Sequence, residues 1–434
     1  MDSPQKPQFI AGRDFSLSSL KALIRKYLES DFVRKVGEVF FTNITLILLG
    51  LVTSILIARM LGPEGRGIFA VAFSILAIGV QFGNLGLHTS NTYFVAKDVK
   101  SMPQLLTNSL VVSIGLGGLL AVLIWLVFYF WPTLSPIKGF ILILALGLIP
   151  FNLASLLLRN LLLGLQDIKA FNQVELFSKI LTLLLLSIVY FLQSVTVEIV
   201  FAVGMLSILI SCIWAFWSLR KHFPHILPPS LLVIKKSIGY GFKTYLACFF
   251  SFLVLRADLL MINYLSGVEQ AGYYSVATTL ADLLYLLPIA IGTILFPKLS
   301  SIGNEKEKWR LTQQVMWRVG FILIPVVLTV TLLAHPIILF IYGKSFEPAL
   351  DPFMILCTAM FFYGVNNIIS IHLASVGMPG FAVYSWVIAS MLNIVLNLYL
   401  IPAYGISGAA FSSLICYSMV FFFQLYFTVK WNNR

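Results

Sequence analysis

Three ionisable side chains stand in stretches otherwise too apolar to hold them. Arg256, Asp258 and Asp282 fall within FLVLRADLLMINYLSGVEQAGYYSVATTLADLLYLLPIAIGTILFPKLS, residues 252–300. A charge at mid-bilayer depth costs on the order of 3 kcal/mol by insertion scales, so such residues pair, face water or carry function. Arg256 and Asp258 are two residues apart, about 200° around a helix, and so belong to different faces. Arg256 and Asp282 lie about 12 Å and about 15 Å from the turn joining their helices, a matched depth that lets them pair. Two chemistries fit that pair. One is an ion pair locking two helices together. The other is a guanidinium offered to phosphate oxygens, for which its planar fork of donors is suited. Asp258 fits a proton or cation site, or a partner elsewhere in the fold.

Further candidates sit at other depths. Arg59 ends the first apolar run and Arg66 lies in the turn after it, while Arg159 lies near the opposite end of the fourth run. Arg59 and Arg159 are placed to snorkel to an interface and Arg66 reads as structural; the functional reading of each is capture of phosphate oxygens. Amides recur at helical spacing: Gln81, Asn84, His88 and Asn91; Asn152, Ser155 and Arg159; Ser390, Asn393 and Asn397. Interhelical hydrogen bonding accounts for any one stripe; three together fit a hydrated lumen able to hold sugars. His88 titrates near neutrality when free, yet within its stripe it reads as a hydrogen-bonded structural residue. Glu175 and Lys179 stand four apart with the acid first, the favourable order for a helical ion pair. No metal or cofactor motif is present. Cys212, Cys248, Cys357 and Cys416 lie in apolar segments without CxxC spacing. Gly62-Pro-Glu-Gly-Arg-Gly67 lacks the Gly-Lys-Ser/Thr ending of a phosphate loop.

The elements that position these residues follow from composition. The 434 residues are 59% hydrophobic and 11% charged, against about 25% charged in soluble domains, which makes this an all-α integral membrane protein. The net charge of +12 does not point to nucleic acid, because the basic residues do not interleave with aromatics; they fall between apolar runs. Runs of about 20 apolar residues cross a bilayer, and twelve are expected: 39–61, 68–94, 105–131, 138–163, 172–193, 196–219, 237–264, 271–297, 312–340, 352–374, 380–401 and 404–429. With the N-terminus inside, 22 of the 29 Lys and Arg fall on the cytoplasmic side, 4 on the other and 3 within helices. The positive-inside rule therefore puts both termini in the cytoplasm of a multi-pass protein. Residues 1–38 read as a cytoplasmic amphipathic arm on the membrane surface, with Leu17, Leu20, Ile24 and Leu28 on one stripe.

The basic, Pro-containing linker 220–236 divides the spans into a first six-helix bundle, 39–219, and a second, 237–429, with a short tail at 430–434. Gly67-Ile-Phe-Ala-Val-Ala follows the first helix and Gly272-Tyr-Tyr-Ser-Val-Ala follows the seventh. That likeness predicts a parallel repeat about an axis along the membrane normal, with a cleft between the halves.

Three stretches carry a family resemblance. They are Ala58-Arg-Met-Leu-Gly-Pro-Glu-Gly-Arg-Gly67; Arg256-Ala-Asp-Leu-Leu-Met-Ile-Asn-Tyr through Gly272-Tyr-Tyr-Ser-Val-Ala to Leu295-Phe-Pro-Lys-Leu-Ser300; and Tyr342-Gly-Lys-Ser-Phe with Ile401-Pro-Ala-Tyr-Gly-Ile-Ser-Gly-Ala-Ala410. With them the chain resembles the oligosaccharide flippases of the MOP exporter superfamily, the Wzx-like polysaccharide biosynthesis transporters. The resemblance implies a MOP/MATE-like fold in the plasma (inner) membrane of a bacterium. It also implies movement of a polyprenyl-pyrophosphate-linked oligosaccharide from the cytoplasmic to the outer leaflet by alternating access. The expected partners are that lipid-linked oligosaccharide, membrane lipids, and coupling protons or cations. A MATE-like drug or cation antiporter is an alternative; it predicts an acid-lined aromatic pocket with little need for a central Arg. A membrane oligosaccharide polymerase or transferase would need a sizeable outer loop bearing acids, Arg or His, and the outer connections here are short.

Overall fold

The computed structural model describes residues 31–193, 195–222 and 227–432, all of them helix or short connections. In chain order the α-helices are α1 (Asp31–Asn84), α2 (Leu87–Lys97), α3 (Met102–Phe130), α4 (Phe140–Gly147), α5 (Ile149–Gly164), α6 (Ile168–Phe191) and α7 (Val197–Arg220). They continue as α8 (Leu231–Ser266), α9 (Val268–Ala281), α10 (Leu286–Ser301), α11 (Glu305–Leu332), α12 (Ala334–Ile341), α13 (Leu350–Ser375) and α14 (Gly380–Asn432). The amphipathic helix expected around Leu17–Leu28 lies outside the described residues.

Ten helical stretches among the described residues are long and apolar enough to cross a membrane. Two of them are double. The 41-residue Ile44–Asn84 and the 53-residue Gly380–Asn432 would exceed a ~30 Å hydrocarbon core twofold if straight. Each reverses at a glycine with positive φ, Gly62 at 67° and Gly405 at 58°, a conformation that costs Gly least. The reversal in α1 lets Arg66 Nη2 reach Ser54 Oγ at 3.1 Å, though twelve residues of straight helix span about 18 Å. In α14, Asn393 meets Ser412, Cys416 meets Ala389, and Gln424 meets Ser385, the pairing of two antiparallel arms. Counting each reversal, the described residues make twelve passes.

The outer surface is apolar: Phe191, Leu332 and Phe340 are all more than 80% exposed. Such a surface has hydrocarbon as its solvent. Side-chain caps start the helices after the loops, with Asp167, Thr196, Ser230 and Asn304 accepting from backbone N–H groups of α6, α7, α8 and α11. Several helices outrun their apolar runs. α1 begins at Asp31 rather than 39, α11 at Glu305 rather than 312, and α14 continues through Asn432. Hydropathy marks the lipid-facing part of a helix, whereas backbone hydrogen bonding carries it onward into polar sequence.

Two interruptions matter for the site. The second pass breaks at Leu85 and Gly86, φ 47° and 82°, and restarts as α2. The eighth tightens into a 3₁₀ turn, Asp282–Tyr285, between α9 and α10. The halves meet on backbone. A Cβ built on Gly67 would fall 1.9 Å from the Val268 carbonyl oxygen, and one on Gly272 would fall 2.0 Å from that of Pro63. The contact is reciprocal, each glycine facing the residue four before the other, as a two-fold repeat axis requires. The two segments whose sequences resemble each other are therefore packed against each other.

Candidate functional site

The eighth pass begins its 3₁₀ turn at Asp282, and there the carboxylate accepts a hydrogen bond from Arg256 on α8, Nη2 to Oδ2 at 3.1 Å. The depth match read from the sequence holds. The two side chains remain 40% and 37% exposed, so the pair is not sealed into a packed core. Around it stand phenols of the second bundle: Tyr285 and Tyr363 with ring centroids 4.7 Å apart, and Tyr363 and Tyr417 at 5.1 Å. Asn367 Nδ2 donates to Tyr285 Oη at 2.5 Å. A guanidinium among phenols and amides, at the point where a helix changes its winding, can bind an oxyanion or return to its own carboxylate.

Asp258 has a separate set of partners, as its position on α8 predicts. It is 2% exposed and accepts from Tyr274 Oη at 2.9 Å, Ser413 Oγ at 2.5 Å and Asn397 Nδ2 at 2.7 Å. Asn397 Nδ2 also donates to Asn393 Oδ1 at 3.1 Å, and Asn393 Nδ2 donates to Ser412 Oγ at 3.2 Å. Three donors satisfy most of what a carboxylate loses on leaving water. One acceptor is left over: Asn397 Oδ1 is buried without a hydrogen-bond partner. The knot ties α8, α9 and both arms of α14. Tyr417 lies within electrostatic range of Asp258, Asp282 and Arg256, so the two charge systems share a neighbour.

At the Gly62 face the bundles are closed against each other. Arg59 Nε and Nη2 donate to the Ile341 and Phe340 carbonyls at 2.9 and 2.8 Å, occupying free acceptors at the end of α12. Arg66 is 7% exposed; its Nε donates to Ser275 Oγ at 3.1 Å and its Nη2 to Thr279 Oγ1 at 3.4 Å as well as to Ser54. The opposite face is closed too. A Cβ on Gly241 would come within 2.3 Å of the Gly86 carbonyl oxygen, Tyr93 stacks on Tyr240 at 4.1 Å, and Tyr245 Oη donates to the Gln81 carbonyl at 3.0 Å. The second pass thus takes part in both seals.

In the first bundle, Asn84 and His88 share a side-chain hydrogen bond, and Asn84 Oδ1 accepts from the His88 backbone N–H at 3.2 Å. The amide steadies the restart of α2 after the break, and His88 Nε2 shares a further bond with Thr89. The Glu175–Lys179 pairing expected from spacing is replaced. Glu175 pairs with Arg159 of α5 instead, so Arg159 is not a free interfacial anchor. Tertiary proximity outweighs the few tenths of a kcal/mol, about 0.3–0.5, that an i,i+4 pair contributes. Lys179, inside the apolar part of α6, stays within electrostatic range of both Glu175 and Arg159.

The structure therefore gathers Asp258, Asn393 and Asn397 at one point and Arg256 with Asp282 at another. Arg59 and Arg66 share one face of the molecule with different partners, Arg159 stands apart, and Asn84 and His88 stay local. Tyr274, Ser413 and Tyr342 are additions that spacing did not single out. Tyr274 had a signal, since it lies two residues into the repeated Gly272 segment. No group of three or more His, Cys, Asp or Glu among the described residues is arranged to hold a metal ion.

Comparison with known proteins places this geometry. A family described as polysaccharide biosynthesis protein matches residues 56–351. The chain is similar to the probable low-salt glycan biosynthesis flippase Agl15 of Haloferax volcanii, 22% identical over 47% of this chain and 44% of that protein. It is similar also to the probable flippase AglR of the same organism, 24% identical over 87% of this chain and 79% of that one. The chain spans under half the length of three of the curated relatives it matches. Among solved structures, an inward-facing multidrug resistance MATE family transporter of the MOP superfamily has a TM-score of 0.74 at 13% identity, covering 89% of this chain and 94% of that one. The lipid II flippase MurJ in an inward closed conformation has a TM-score of 0.71 at 18% identity, covering 90% and 87%. At these identities the likeness shows the fold, two bundles of the MOP type.

Proposed function

The chain belongs to the polysaccharide biosynthesis protein family, and on that premise we propose that it flips a polyprenyl-pyrophosphate-linked oligosaccharide from the cytoplasmic to the outer leaflet by alternating access. The half-exposed Arg256–Asp282 pair, mid-span at a helix break, carries the reading. An ion pair kept only for stability would be better replaced by apolar packing; one that opens to a ligand must stay reachable. The pyrophosphate displaces Asp282 from Arg256 and takes the bidentate face of the guanidinium. Similarity to Agl15, a probable low-salt glycan biosynthesis flippase, supports a glycan cargo, and similarity to AglR, a probable flippase, supports flipping.

Cations stand at other depths to receive the same head group: Lys179 and Arg159 in the half nearer the linker, Arg66 and Arg59 at the Gly62 face. The distribution of Lys and Arg supports the linker face and both termini as cytoplasmic; the plasma membrane of a bacterium is what the family resemblance implies. Asp258 holds the coupling proton or cation, and the unpartnered Asn397 Oδ1 beside it favours a cation.

Deleting the gene tests this reading. One lipid-linked glycan should accumulate on the cytoplasmic leaflet, and Arg256→Ala should fail to clear it while still inserting in the membrane. Normal export of every surface glycan in the deletion strain would refute it.

A further inference from the structure

Arg66 is a guanidinium buried to 7% exposure with no carboxylate beside it. Its described partners are neutral: the Ser275, Ser54 and Thr279 hydroxyls and the face of Phe69, 5.8 Å from Cζ. Ser54 Oγ shares a hydrogen bond with Tyr342 Oη at 3.1 Å, and no described hydrogen bond uses Arg66 Nη1. Glu64, the acid nearest in sequence, is exposed. A buried cation without a counter-charge is costly; the hydroxyls around it only accept from the guanidinium, and Ser275 Oγ and Thr279 Oγ1 donate onward to the Gly272 and Ser275 carbonyls at 2.8 and 2.7 Å, so nothing anionic offsets the charge. Two of those hydroxyls, Ser275 and Thr279, belong to the second bundle and the rest of the guanidinium's anchorage to the first. The same few residues seat Gly67 against Val268 and Gly272 against Pro63.

We propose that the Arg66 guanidinium is an oxyanion site that latches the Gly62 face, holding Ser275 and Thr279 of the second bundle to Ser54 of the first. A phosphate-class anion arriving there supplies the missing counter-charge, draws the guanidinium away from Ser275 and Thr279, and parts the glycine seal. This rests on the flippase reading, in which the head group reaches this face last. It adds that the departing anion opens the exit.

Hydrogen exchange read by mass spectrometry on the full chain in lipid nanodiscs tests the site, with inorganic pyrophosphate as the probe and chloride as control. In the wild type, pyrophosphate should raise exchange in peptides covering 62–70 and 268–279. Arg66→Gln should remove that response and weaken pyrophosphate binding at this face ~10-fold, the scale of one charge-assisted hydrogen bond. Arg66→Lys, which keeps the charge, should retain part of it. Ser275→Ala with Thr279→Val should raise exchange in the same peptides without pyrophosphate, which tests the latch even where Arg66→Gln does not fold. An unresponsive wild type, or an Arg66→Gln that responds in full, would overturn the proposal. Glycolipid flipping at the wild-type rate by Arg66→Gln would also overturn the latch and leave the flippase reading standing. A full exchange response in a protein that flips no polyprenyl-linked glycan would do the reverse.

Discussion

Arg256 and Asp258 stand two positions apart and have opposite accessibility, and their substitutions should separate accordingly. The Arg256–Asp282 pair is more than a third exposed and is not locked into a packed core, whereas Asp258 is. Arg256→Gln should therefore insert and unfold close to the wild type in a thermal assay while losing glycolipid transport. Asp258→Asn should lose the dependence of transport on its coupling ion. Tyr274→Phe, which takes away one of three donors to a buried carboxylate, should cost about 1–2 kcal/mol in denaturant unfolding. The Arg256–Asp282 pairing was legible because depth along two adjoining helices can be counted from their shared turn. The Asp258 knot was not, since Asn397 and Ser413 join it from 139 and 155 residues away; the sequence presents Asn397 only within a polar stripe and does not mark Ser413 at all. Glu175 shows the opposite failure, a local rule outweighed by a neighbour on another helix.

At the scale of elements, glycine placement sets where the bundles touch. Neither the Gly67–Gly272 seal nor the Gly86–Gly241 seal has room for a methyl group, and the obstructing atoms are backbone, which no rotamer change can clear. Gly272→Ala should shift the population toward an open Gly62 face, and Gly241→Ala toward an open linker face. Impermeant maleimide can read this in a background without the four native cysteines. Ala271→Cys, buried at 0% beside the first seal, should become reactive only with Gly272→Ala; Leu87→Cys, at 4% beside the second, only with Gly241→Ala. Equal labelling of both positions in either background would rule out opposed seals. The twelve passes were legible because a bilayer demands long apolar runs whatever the tertiary contacts. The breaks at Leu85–Gly86 and Asp282–Tyr285 were not: both lie inside apolar runs, and tertiary packing fixes them. Gly67 and Gly272 could be seen as equivalent in sequence, but not as touching.

Among the described residues, contacts of the second pass close both faces, and the half-exposed Arg256–Asp282 pair stands at a depth between them. That is the arrangement alternating access needs between its two open states. Its orientation makes a prediction of its own. In intact cells, impermeant maleimide should label Lys344→Cys on the Gly62 side and leave Lys306→Cys untouched, both positions being exposed; the reverse pattern would invert the proposed direction. The central claim is that Arg256 carries a pyrophosphate-linked glycan through this closed pair of bundles. It is tested most directly in proteoliposomes, by following protection of a fluorescent polyprenyl-pyrophosphate oligosaccharide from an external quencher. The wild type should move the lipid between leaflets, and Arg256→Gln, equally inserted, should not. Flipping by Arg256→Gln at the wild-type rate would contradict the account.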